Sequence, residues 1–404
     1  MSDTTAPTEI PFYPMERAEG CPFAPPPRLM RIQEEAPVQR VRLWDGSTPW
    51  LITRYEDQRA VLGDPRVSAD LFREGYPAPA PIVGERSNVS FIFKDDPEHN
   101  RLRRMVTKPF TLRGVKAMRP AVQRIVDDRI DAMLAGPKPA DLVRDFALPV
   151  PSLVICDLLG VPYEDHDFFQ EHSKRLLDQS PDQAPRAESR DRLVEYLARL
   201  LRDKRDRPAD DVMSTLAPRV DSGELSEIDA AQTGILLLVA GHETTANMIT
   251  LGTLALLQNP RALAALREAD DPAVVDRAVE ELLRYLSIVH NGRRRVALED
   301  LEVAGQKVRR GEGLVIPTES GNWDESVFPG AAELDIDRDA RRHMAFGFGV
   351  HQCLGQPLAR LELHIVYSTL YRRLPALALA CDPADLSYRH GSLVYGVHEM
   401  PVTW

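Results

Sequence analysis

Phe346-Gly347-Phe348-Gly349-Val350-His351-Gln352-Cys353-Leu354-Gly355 is the stretch on which the reading of this chain turns. Its three glycines, Gly347, Gly349 and Gly355, let the backbone adopt positive φ and approach something flat or bulky. From Gln356 the pattern becomes helical, with Pro357 at an early helical position. Leu358, Leu361, Leu363, Ile365, Leu370 and Leu374 are then available for burial. Cys353 therefore sits just before a helix N-terminus, where the helix dipole and free N–H groups stabilise a thiolate. An isolated thiolate in a glycine-rich loop is a poor disulfide partner and a good metal ligand. A plain turn carrying a small buried cysteine fits the spacing equally well.

The bulk properties narrow the class. The chain has 404 residues, and length alone suggests two or three domains. No linker divides it, so one large domain is expected over 28–404. Residues 1–27 hold seven prolines and read as an extended lead-in, mobile up to about Cys21. A net charge of −11 argues against general nucleic-acid binding and against an anionic membrane surface. The four cysteines are far apart with no Cys-x-x-Cys, which fits a reducing cytosol. There is no signal-peptide pattern and no apolar run of the ~18 residues that cross a bilayer. A cytoplasmic protein without a membrane anchor is expected.

Residues 38–43 and 50–53 read as a small hairpin across Asp45-Gly46. Residues 55–62 read as a short helix ended by Gly63. Residues 72–93 are irregular and long enough for a binding loop or lid. Asp95-Asp96-Pro97 starts a helix in which His99 and Arg103, four apart, share a face. Two donors on one face can grip a buried carboxylate. Val122, Ile125, Val126, Ile130, Met133 and Leu134 form a helical core stripe. Residues 150–159, 168–177 and 193–201 read as further helices. Residues 179–190 lack a pattern, and 204–211 read as an exposed charged turn.

The longest helix is expected from Ser226, which with Asp229 forms a capping box, to about Asn259. Residues 235–240 are apolar on every face and must be buried. Gly241-His242-Glu243-Thr244-Thr245 follows directly. Polar groups in a buried helix are costly without partners or a task. The Thr244 hydroxyl can return to the Ala240 carbonyl and open a groove there. Glu281 and Arg284 are three apart on the next amphipathic helix, and residues 287–318 read as short strands.

These stretches, in this order, resemble the cytochrome P-450 family of the soluble actinobacterial type, over about residues 28–404. In that family two aromatic–glycine steps precede His-x-Cys-x-Gly. The resemblance implies a mainly α fold with a small β region, a haem b cofactor and Cys353 as its proximal thiolate ligand. Ala240, Phe346 and Gly355 would lie against the macrocycle, and N–H groups of Leu354, Gly355 and Gln356 would face the sulfur. His99, Arg103, Arg295 and His351 would bind the propionates, with Arg293 and Arg294 solvated. Glu243 would relay protons beside Thr244. Glu281–Arg284 would join a third residue, Arg338, in a structural network. Where the family often has Arg, this chain has Trp323, which leaves the packing at the haem edge open.

The activity implied is that of a monooxygenase of secondary metabolism, hydroxylating or epoxidising a bulky hydrophobic molecule such as a macrolide. With no dinucleotide-binding glycine motif in the chain, a ferredoxin and ferredoxin reductase would supply electrons to a monomer. Arg104, Arg341, Arg342 and Arg360 are candidate docking charges. The substrate would touch residues 72–93, 168–177, 236–240, 288–291 and 392–395. Alternatives are a haem-thiolate peroxygenase or isomerase, which would leave Glu243-Thr244 idle, and a haem sensor, which would want an output domain. A zinc site on His343, His351 and Cys353 lacks a fourth ligand.

Overall fold

Most apolar residues recur at helical spacing, and helices account for most of the chain. A computed structural model describes residues 10–18, 20–82, 86, 89–177 and 182–404. Among these the helices run α1 (Pro27–Glu35), α2 (Tyr55–Gly63), α3 (Glu98–Met105), α4 (Leu112–Ala135), α5 (Pro149–Leu159), α6 (His166–Leu177) and α7 (Ala184–Asp206). They continue with α8 (Val212–Asp221), α9 (Glu227–Leu257), α10 (Pro260–Arg267), α11 (Pro272–Tyr285), α12 (Thr318–Asn322) and α13 (Gln356–Arg373). The strands are β1 (Val38–Arg40), β2 (Trp50–Ile52), β3 (Val67–Ser68), β4 (Ala140–Asp141), β5 (Arg293–Ala297), β6 (Leu301–Val303), β7 (Gln306–Val308), β8 (Gly313–Ile316), β9 (Ala378–Leu379) and β10 (Pro401–Thr403).

The main core joins the inner faces of α4, α5, α7, α9, α11 and α13. The three-stranded sheet β4-β10-β9 packs on this core through Ala140, Val402 and Leu379, and the other strands lie apart from it. The largest sheet has the order β1-β2-β8-β5-β3, with β2 parallel to β8 and every other pair antiparallel. Two smaller cores pack on it. The mainly α architecture with a small β region is therefore present, and the expected hairpin is β1–β2.

α9 runs 31 residues through the main core. The Ser226 hydroxyl accepts from Asp229 N at 3.0 Å and donates to Asp229 Oδ2 at 2.7 Å, a cap worth about 1 kcal/mol. α13 crosses α9 at Gly252. A Cβ there would sit 2.0 Å from the Tyr367 hydroxyl, which donates to Met248 O at 2.6 Å. That close crossing sets the helix that follows the Cys353 loop against the Glu243-bearing one.

The structure corrects several expectations. Tyr13 is buried and bridges to Arg42, and Arg17 forms a buried ion pair with Glu319 at 2.6 Å. This part of the proline-rich lead-in therefore packs on the molecule and does not trail from it. α7 begins at Ala184, because its first turns face solvent and carry no apolar signal. Residues 205–210 are exposed as expected, although 204–206 are still part of α7 and the far end is tied down. Asp211 caps α8 through Ser214 N at 2.7 Å and binds Lys204 Nζ at 2.5 Å. Leu134 points outward, and the α4 stripe is Val122, Val126, Ile130 and Met133. The expected loop over 72–93 has residues 83–85 and 87–88 outside the described residues, as are 179–181 of the patternless stretch.

Candidate active site

The Cys353 loop is built by its first two glycines. Gly347 has φ 74° and Gly349 φ 75°. A Cβ at Gly349 would meet Leu62 O at 2.3 Å, so the loop must press against α2. Gly355 differs from expectation. Its φ is −79°, and it serves as the N-cap of α13. A side chain there would point toward Cys353 Sγ, at 4.0 Å. Cys353 N donates to Phe346 O at 2.8 Å, closing the loop. Burial pushes the thiol pKa up, while the N–H groups of Gly355 and Gln356 and the charges of Arg293 and Arg103 pull it down.

Around this sulfur the structure gathers three arginines and two imidazoles from three elements. His99 and Arg103 come from α3, His351 from the loop, and Arg293 and Arg295 from alternate positions of β5. The His99 and His351 rings lie 4.1 Å apart. Arg103 Nη2 donates to Gln352 O at 2.6 Å, Arg293 Nη2 to Ala345 O at 3.1 Å and Arg295 Nη1 to Arg294 O at 2.7 Å. None of the three arginines forms an ion pair with a carboxylate among the described residues. His99 Nε2, His351 Nδ1 and Arg293 Nε are buried without a partner. Burial and the surrounding cations hold His351 at about 3, and burial with Arg295 lowers Arg293 to about 10. Unpaired buried donors are costly, so this cluster calls for an anion with several acceptors.

The expectation that Arg293 and Arg294 are solvated is wrong for both. Arg293 shares the face of Arg295, as strand alternation requires. Arg294 turns to the opposite face, where it is 5% exposed, lies over the Tyr13 ring and donates to Asn291 O and Pro77 O. Matching a motif selects one position, whereas a pleated strand presents two. Arg295 remains among the gathered residues.

On the other side, α9 is buried through its middle except for Leu236, Val239, Ala240, Gly241 and Thr244. Leu236, Ala240 and Thr244 are four apart and make one open stripe. The Thr244 hydroxyl donates to Ala240 O at 2.7 Å, yet the helix runs unbroken. Gly241 is required by packing, since a Cβ there would be 2.9 Å from Ile155 of α5. Glu243 is 3% exposed, and its Oε2 accepts from Arg389 Nη1 at 3.3 Å. Nothing in the sequence pointed to Arg389, 146 positions away.

Four of the expected substrate-facing segments lie near one another. Leu393 N donates to Leu177 O, Tyr395 N to Ile288 O, and His290 Nε2 lies 2.9 Å from Ser392 O. Leu236 and Val239 pack on the core that these segments share. His343 is held elsewhere, with Nε2 on Glu280 and Nδ1 accepting from Ala345 N, and so does not join Cys353. Trp323 fills its site, donating to Tyr285 O at 3.0 Å and stacking on that ring. Glu281 and Arg284 are fully buried, doubly hydrogen-bonded at 2.7 Å, and Arg338 Nε reaches Glu281 at 3.3 Å.

A thiol at a helix start, an open helical stripe and a cationic cluster without counter-charge fit a flat metal complex with two carboxylates. Comparison with known proteins agrees. Residues 183–377 match the family model for cytochrome P450. The chain is 52% identical to Cytochrome P450 GfsF of Streptomyces halstedii over 100% of both chains. It is 54% identical to Cytochrome P450-SU2 of Streptomyces griseolus, over 100% of this chain and 99% of that one. The crystal structure of GfsF superposes with a TM-score of 0.91, covering 98% of this chain and 100% of that chain. That of the mycinamicin VIII C21 methyl hydroxylase MycCI of Micromonospora griseorubida, bound to mycinamicin VIII, also gives 0.91, at 42% identity, over 98% of this chain and 100% of that one. This chain belongs to the cytochrome P450 family. It is a monooxygenase with haem b as cofactor. No helix among the described residues is long and apolar enough to cross a membrane.

Proposed function

We propose that the protein inserts one oxygen atom from dioxygen into a bulky hydrophobic secondary metabolite of the macrolide class, in the cytoplasm, with electrons from a ferredoxin and its reductase. The open stripe of Leu236, Val239, Ala240 and Thr244 carries this reading, because it sets an apolar wall beside a hydroxyl and a buried acid. The mycinamicin complex of the related hydroxylase supports the substrate class. Haem b, held by Cys353, supplies oxygen activation and C–H oxidation.

The chain's own residues do the rest. The N–H groups of Gly355 and Gln356 moderate the basicity of the thiolate. His99, Arg103, Arg293, Arg295 and His351 hold the propionates by charge-assisted hydrogen bonds. Glu243 moves protons inward, and Thr244 holds a water on their route. Leu177, Ile288 and residues 392–395 enclose the substrate and exclude water. Arg104 and Arg342 are proposed docking charges; Arg341 and Arg360 are less available, since they pair with Asp339 and Glu280.

Three measurements test this. Titration with macrolide, terpenoid and steroid panels should give a low-spin to high-spin shift with a macrolide, and a macrolide that leaves the spectrum unchanged removes that class. Thr244→Ala should divert reducing equivalents to peroxide, and undiminished coupling counts against the proton route. The reduced carbon monoxide adduct should show the strongly red-shifted Soret band of thiolate ligation and lose it in Cys353→His.

A further inference from the structure

The acid of α9 is not held by its own helix. Glu243 Oε2 meets Arg389 Nη1 at 3.3 Å, and Oε1 lies 3.8 Å from His242 Nε2. These are the charged or titratable groups facing the carboxylate among the described residues. His242 Nδ1 lies 2.7 Å from Leu238 O, so Nδ1 carries the proton. At 3.8 Å the His242 Nε2 is beyond hydrogen-bond distance of Glu243 and has no hydrogen-bond partner among the described residues. Arg389 supplies the counter-charge. Its Nε is buried without another partner.

Arg389 lies in a C-terminal segment closed by the Tyr388–Val397 bridge and by Arg389 N donating to Gly396 O at 2.8 Å. The same segment meets the Glu243 turn a second time. Asn247 Nδ2 donates to Glu243 O at 2.7 Å, and Gly396 lies so near Asn247 that a Cβ would be 1.6 Å from its Oδ1. Between these two contacts run residues 392–395, which pair with Leu177 and Ile288. One short segment thus touches the proton-handling carboxylate and the apolar enclosure.

A carboxylate buried this deeply becomes neutral unless a cation stays beside it. We infer that Arg389 is the positioning residue of Glu243: its guanidinium keeps the carboxylate ionised and aimed, and ties it to the substrate-facing C-terminal segment. This rests on the reading of Glu243 as the proton relay. The single contact needs a cation but not a bidentate fork, so lysine can replace arginine here.

The test uses the haem-loaded enzyme. Arg389→Met, with Arg389→Gln as a second neutral variant, should show at neutral pH an infrared band of a protonated carboxyl. The band should be absent in the wild type and in Arg389→Met/Glu243→Gln. The fraction of electrons ending in product should fall by about tenfold, within what general acid–base groups contribute. Arg389→Lys should restore both. On a Glu243→Gln background the Arg389 change should add nothing, because both act through one carboxylate. The inference is overturned if folded Arg389→Met and Arg389→Gln give no new band, or if their loss multiplies with that of Glu243→Gln. If Glu243→Gln alone leaves coupling intact, the relay reading falls, while the infrared band still decides whether Arg389 holds the carboxylate.

Discussion

At the scale of single residues, Arg293 carries the proposed grip on the cofactor. Its Nη2 is satisfied by Ala345 O, while Nε is buried with no partner, beside Gly347 of the Cys353 loop. A charge-assisted hydrogen bond at such a site is worth about 1.5–3 kcal/mol. Arg293→Met should therefore speed haem loss by about tenfold or more. The measurement is the rate of haem transfer to a scavenging apoprotein, with Arg295→Ala for comparison. Unchanged retention in Arg293→Met would remove it from the site, and unchanged retention in Arg295→Ala would remove that residue. The placement of Cys353 just before a helix and of Glu243 and Thr244 within the long helix was legible because each is set by a local pattern of a few residues. Arg293 was hidden as the first of three consecutive arginines, and only the pleat of β5 separates Arg293 and Arg295 from Arg294.

At the scale of elements, Glu281 and Arg284 show why spacing alone cannot grade an ion pair. Two residues three apart on a helix predict a shared face, and on a surface their pair is worth a few tenths of a kcal/mol. Here both are fully buried, and Arg284 also donates to Asn322 O and Ala331 O while Arg338 braces Glu281. The network pins α11 to the segment that leads into the Cys353 loop. Arg284→Ala removes the doubly bonded partner of a buried carboxylate, leaving it Arg338 and Asp335 N, and frees the carbonyls of Asn322, Ala331 and Glu333, so it should cost about 3 kcal/mol. Urea unfolding should show that loss, and a change below about 1 kcal/mol would return the pair to the surface class. Helix positions were legible wherever one face is apolar, as in α4, α9 and α13. The start of α7 was not, because its charged first turns are solvated and helical only through continuity with Leu193, Leu197 and Leu201.

At the scale of the whole molecule, the half-buried Glu280 and the buried Glu319 pull the pH dependence of stability in opposite directions. Glu280 is bound by Arg360 and His343, which lower its pKa to about 2 even though burial acts to raise it. Its contribution is present above the usual carboxylate pKa and is lost as pH falls toward 2. Glu319 is raised to about 7, by burial that the nearby Arg17 only partly offsets. The folded state then binds this proton more tightly than the unfolded chain. Its contribution is full below about 4.5, the ordinary glutamate value, and is lost as pH rises through about 7. The full effect is about 3 kcal/mol as an upper bound. Nothing local in the sequence announced it, because Arg17 and Glu319 are 302 positions apart and meet only after the proline-rich lead-in folds back on the sheet. Thermal melting of wild type and Glu319→Gln between about pH 5 and pH 8 isolates the group, since Glu280 is common to both. The wild-type midpoint should fall relative to Glu319→Gln across that window. Arg17→Met removes the partner that opposes burial, so its fall should extend to higher pH. If the wild type and Glu319→Gln track each other throughout, Glu319 keeps an ordinary carboxylate pKa in the folded protein and the N-terminal ion pair carries no pH dependence.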